Sequence, residues 1–167
     1  MRHKTLGLVL PSALLASVLI GAPQTASAAD FSFILPAGTA CSGFALGVSG
    51  TGGKNHTKTF VDANGNPVRT IAAGTGSALT FTNETTLKAL ALRSNGAVQK
   101  TVYNPDGTTT NTLTGHNVLI LFPTDKPAGP STRLIVGKVV YTSDAENNFT
   151  LLSVSGKTTD ICAALTP

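Results

Sequence analysis

Tryptophan is missing from this 167-residue chain, and the sequence holds only two tyrosines, two cysteines and one methionine. With Tyr103 and Tyr141 as the only amphipathic rings, a site that grips sugars by stacking has little to build on. Charged residues make up just 12% of the chain. Beyond the N-terminal segment, Lys and Arg come singly, from Lys54 to Lys157, with no run that would neutralise several phosphates together. Nucleic acid is therefore not an expected partner.

The usual reactive groups are scarce as well. His56 and His116 are the histidines outside the leader, and no His-x-x-x-His spacing occurs, so no metal site is expected. A Gly-x-Ser-x-Gly elbow is absent. Gly50-Thr51-Gly52-Gly53-Lys54 lacks the spacing of a phosphate loop, and Asn55 stands where Ser or Thr is required. Asp62, Asp106, Asp125, Asp144 and Glu146 fall in turns, not as the facing pair that glycoside hydrolysis needs. No cofactor is expected.

One long hydrophobic run is present, and it opens the chain. Arg2, His3 and Lys4 precede Leu6 to Ile20, and Ala26-Ser27-Ala28 follows with the small residues of a cleavage site. Residues 1–28 read as a secretory signal peptide of bacterial style, and Gly21, Pro23 and Gln24 end the run too early for a membrane span. After cleavage no transmembrane anchor is expected, the location is extracellular, and residues 29–167 form a single domain. Its ten Lys and Arg against eight Asp and Glu leave a net charge of +2. In that oxidising setting Cys41 and Cys162 read as a disulfide that ties the two ends of the domain together.

What the chain has in quantity is turn chemistry. Short runs rich in Val, Ile, Thr, Phe and Leu alternate with Gly, Asn, Asp and Pro. Asn64-Gly65 and Pro105-Asp106-Gly107 are hairpin signals, because their central positions accept positive φ or a preset proline φ. Expected strands include Phe44–Val48, His56–Val61, Val68–Ala73, Ala78–Thr82, Lys88–Arg93 and Ala97–Tyr103. Thr108–Thr114, Asn117–Phe122, Arg133–Thr142 and Phe149–Val154 follow, and Ile161–Leu165 is a short helical turn or tail. The class is all-β, an antiparallel meander of about 8–10 strands that closes as an up-and-down β-barrel, with a β-sandwich as the alternative. Asn117–Phe122 and Arg133–Tyr141 are apolar on both faces, so both need cover. The cover is expected from Phe31–Leu35, from the Cys162 tail, or from a second copy in a homo-oligomer.

The functional expectation is a secreted, non-enzymatic binding protein for a small apolar molecule or a cell-envelope component. Tyr103, His116 and Tyr141 are its candidate binding side chains. One alternative is a cofactor-free barrel enzyme of isomerase or cyclase type that uses Tyr103, His116 or Tyr141 inside an apolar cavity. Another is a structural envelope or matrix protein that self-associates.

Overall fold

The computed structural model describes residues 31–167; the export signal expected over residues 1–28 lies outside them. Strands β1 (Phe31–Leu35), β2 (Leu46–Thr51), β3 (Lys54–Val61), β4 (Pro67–Thr75) and β5 (Ala78–Asn83) make the first half. Strands β6 (Ala89–Leu92), β7 (Gly96–Tyr103), β8 (Thr109–Leu121), β9 (Ser131–Ser143) and β10 (Phe149–Asp160) follow, and helix α1 (Ile161–Leu165) ends the chain. They build a four-stranded sheet of order β1-β2-β5-β6 and a six-stranded sheet of order β10-β9-β8-β7-β4-β3. Every strand pairing is antiparallel.

The two orders mirror each other. β2, β5 and β6 neighbour in the small sheet as β3, β4 and β7 do in the large one, and each pair is joined by only two or three residues. The small sheet is thus the bent continuation of three large-sheet strands. The bend falls at Gly52-Gly53, Gly76-Ser77 and Arg93-Ser94-Asn95. It is stitched by Ser77 Oγ to the Gly52 carbonyl at 2.9 Å, Asn95 carbonyl to Gly76 N–H at 2.9 Å, and Ser94 Oγ to the Gly76 carbonyl. Strands that cross a corner in this way are one route to a sandwich.

The meander is therefore as expected, but the barrel is not. No ladder joins β10 to β1, and the two sheets lie over one another in a sandwich-like arrangement. Three strands leave the large sheet at the bend instead of continuing its curl, and the ring cannot close. A second difference concerns β8. Its halves were expected as separate strands broken at Gly115-His116, yet Gly115 pairs with Ala97 and Gly137 inside one 13-residue strand. Gly74, Ala97, Gly115, Gly137 and Gly156 stand in register across five strands, a crease of small residues. At Gly115 the backbone has φ +99° and a Cβ would sit 2.5 Å from the Gly96 carbonyl oxygen. Only glycine fits both conditions.

Below the crease the large sheet is covered on both sides. On its front face Val118, Ile120 and Leu134 meet Leu46, Val48 and Phe81 of the small sheet, with Ile161 and Leu165 of α1. On its back face Leu119, Leu121, Ile135 and Val139 are buried with Tyr141, Phe149 and Leu151. The proline-rich segment 122–130 closes over them, with Lys126 bonded to Phe149 and Leu151 of β10. Cover thus comes from the Cys162 tail, as expected, and from a loop that was not foreseen. Phe31–Leu35 instead becomes the free edge strand β1, with Phe31, Phe33 and Ile34 exposed. The Cys41–Cys162 disulfide forms, with Cα atoms 5.6 Å apart. Asp160 caps α1 by accepting from Ala163 N–H at 2.9 Å, which sets Cys162 in place.

Candidate functional site

Above the crease none of the described residues covers the front face, where Lys58, Val98, Lys100 and Lys138 are all exposed. Side chains alternate across a strand, so register assigns each one to a face. One row runs Lys58, Ile71, Lys100, Thr112, Val140, Ser153 across all six strands. The neighbouring rows bring Lys138 and His56 on one side and Arg69 and Phe60 on the other. Lys54, His116 and Lys157 share the same face nearer the small sheet. Six of the ten Lys and Arg beyond the leader therefore stand on one side of one sheet.

Among the described residues no strand carboxylate opposes them there. Asp160 is the only acid in the six strands, and it lies at the end of the back face, opposite Arg133. Sheet spacing puts Lys58 and Lys100, two strands apart, about 10 Å from each other at Cα. Phe60 organises the outer edge: Lys58 Nζ is 5.1 Å and Arg69 Cζ 4.2 Å from its ring centroid. Arg69 Nε is buried without a hydrogen-bond partner among the described residues.

At the inner corner, where the front face meets the small sheet, lies a cleft of about 310 Å³. His116, Val118 and Leu134 form its floor, and Leu79, Leu92 and Arg93 its wall. Arg93 adds a seventh cation to the same side, at the bend itself.

The back face above the crease has a different character. Gln99, Thr101 and Asn111 form a hydrogen-bonded cluster, with Thr101 Oγ1 donating to Asn111 Oδ1 at 2.7 Å. Tyr103 is exposed there and shares a 3.3 Å hydrogen bond with Thr70. Tyr141 also lies on the back face, its ring centroid 4.4 Å from that of Phe149, and burial raises its hydroxyl pKa. Of the three candidate side chains, only His116 is on the front, and the structure does not bring them together.

At the far end, the three hairpin turns of the large sheet each carry an aspartate in a hydrogen-bonded loop. Asp62 accepts from Asn64 and Asn66, Asp106 from Thr108, and Asp144 from Glu146 and Asn148. These bonds hold all three carboxyls below their ordinary range. The cations of the front face escaped notice because they are dispersed in sequence. The one local signal was Lys54, His56 and Lys58, alternating along a single strand.

No protein family, curated protein or solved structure matches this chain.

Proposed function

We propose that this is an exported, non-enzymatic binding protein that recognises an anionic component of the cell envelope on the front face of its large sheet. One observation carries the reading: four cations, Lys58, Arg69, Lys100 and Lys138, gather on the uncovered part of one sheet face. Lys54 and Lys157 stand at its margin, and the strands of that sheet offer them no carboxylate on this side. Like charges gathered on one face repel each other, so their gathering is a cost that an anion bound there would relieve. A small apolar ligand finds less support: Leu46 and Phe81 fill the core between the sheets, and the back face leaves a cleft of about 300 Å³ beside Leu119, Leu121 and Ile135 that the cations of the front face do not serve. A barrel enzyme finds less still, with Tyr103 and Tyr141 on the face opposite His116.

The test is co-sedimentation of the purified protein with envelopes of the producing cell. Binding is expected at low salt and is lost at high salt, because exposed charges are screened. Lys58→Glu with Lys100→Glu abolishes it, whereas Arg133→Glu on the back face does not. Binding that survives the double charge reversal overturns the reading.

A further inference from the structure

We infer, resting on the reading above, that the ligand is a linear acidic polysaccharide, one repeat of which seats its anionic group beside Arg93 in the corner cleft. The front face is a ledge. The small sheet rises from its inner side by about one sheet spacing, roughly 10 Å, and overhangs the cleft lined by His116, Leu79 and Leu92. A flat bilayer cannot lie against a floor with a wall of that height beside it. A single polymer chain can.

The floor's chemistry separates the polymers. Lys58, Lys100 and Lys138 stand roughly 10 Å apart across the sheet, and only Lys58 and Arg69 come close, at Phe60. This is a sparser array than the phosphates of a duplex, whose two strands together bring one charge per about 1.7 Å of axis. Single-stranded nucleic acid is held by aromatic platforms. The one phenyl ring on the strands of this face, Phe60, already lies beneath Lys58 and Arg69. The two imidazoles there, His56 and His116, stand apart on β3 and β8 and form no continuous stacking platform. Between the cations run Thr110, Thr112 and Thr114 of β8, a row of hydroxyls that donate and accept. Hydroxyls alternating with isolated cations complement a chain of sugars with an anionic group on each repeat. Recognition by charge and hydroxyl also dispenses with the stacking rings the sequence lacks.

Arg93 and His116 both line the cleft, and no carboxylate does. Guanidinium pairs bidentately with carboxylate or phosphate. Leu79, Leu92, Val118 and Leu134 give the sugar ring an apolar seat. The anion is a carboxylate on a uronic acid or a phosphate diester between sugars; both present paired oxygens to Arg93.

Titration calorimetry at low salt tests this on the intact domain. The probes are polygalacturonate, a phosphate-bearing mannan, neutral dextran, anionic phosphatidylglycerol vesicles and a single-stranded oligonucleotide. One acidic glycan is expected to bind and thereby to name the anion, while dextran does not. Lys58→Glu and Lys100→Glu each weaken it by about fivefold to tenfold, and Arg133→Glu by less than about twofold. Arg93→Ala, at an exposed position, weakens short oligosaccharides of the bound type about tenfold. Vesicles or oligonucleotide bound more tightly than either glycan overturn the assignment, as does an Arg93→Ala variant indistinguishable from the parent. If neither glycan binds while envelope co-sedimentation still depends on Lys58 and Lys100, the ligand class fails and the broader reading stands. If co-sedimentation does not depend on those lysines, the broader reading fails as well.

Discussion

The hydroxyl of Thr132 donates to the carbonyl oxygen of Ala40 at 3.0 Å, and neither residue is exposed to solvent. This bond crosses from β9 to the segment that carries Cys41, so it fastens the large sheet to the disulfide-bearing loop. Thr132→Val keeps the shape but strands the carbonyl in the core. Leaving a buried acceptor unsatisfied costs about 1–3 kcal/mol. Chemical denaturation should show that loss for Thr132→Val, whereas Thr132→Ser, which keeps the donor, loses less. Equal losses for the two variants would assign the effect to packing.

The Cys41–Cys162 bond closes a loop with a sequence separation of 121 residues. Loop-closure entropy for that span corresponds to about 4–5 kcal/mol of stabilisation. A Cys41→Ser, Cys162→Ser protein is expected to remain folded, since the strand ladders and the back-face core do not depend on the bond, but to melt roughly 10–20 °C lower. Circular dichroism with and without reductant measures it. An unchanged melting temperature would show that Thr132 and α1 alone hold the ends together.

Gly115 carries the crease across β8, where its φ is +99° and the Gly96 carbonyl occupies the space a Cβ would need. Gly115→Ala is expected to cost at least about 2 kcal/mol through backbone strain alone. Gly65→Ala is the comparison. Its φ is also positive, but no atom lies within 4 Å of its Cβ position, so its loss is smaller. The difference between the two, read from denaturation midpoints, isolates the close approach from the dihedral. If they match, the crease has room to relax.

How much of this was legible in the sequence depended on the range of the interaction. Asp62-Ala63-Asn64-Gly65-Asn66 announced its hairpin because the aspartate bonds its own neighbours, at Asn64 and Asn66. The disulfide was legible because two cysteines allow one pairing. The corners at Gly52-Gly53 and Gly76-Ser77 carry the same small residues that serve a hairpin turn, yet here they pass a strand from one sheet to the other. What separates the two is the partner strand, which no local pattern specifies. Gly115 was misread for a related reason. Within one strand a glycine looks like a break; only the opposing Gly96, Ala97 and Gly137 show that it marks a close approach. The basic face is the extreme case. Lys58, Lys100 and Lys138 are about 40 residues apart in sequence and become neighbours only through the register of β3, β4, β7, β8 and β9.

The turn aspartates give a pH prediction whose sign can be worked out. The backbone N–H of Asn66 stabilises the charged form of Asp62, the Thr108 side chain that of Asp106, and the Asn148 side chain that of Asp144, so each titrates below its ordinary value near 3.8. A carboxyl whose pKa is lower in the folded state stabilises the fold above its unfolded pKa, and that stabilisation disappears as pH falls through the folded value. The hairpin end of the large sheet is thus fully stabilised at neutral pH and should loosen only in strong acid, below about pH 4. All three carboxyls are fully exposed, so screening keeps each contribution small. Carbon-detected NMR titration follows each carboxyl directly. Midpoints below 3.8 for Asp62, Asp106 and Asp144 confirm the bonding. A midpoint at or above that value for any one of them would mean that its loop opens in solution and the hairpin is held by strand pairing alone.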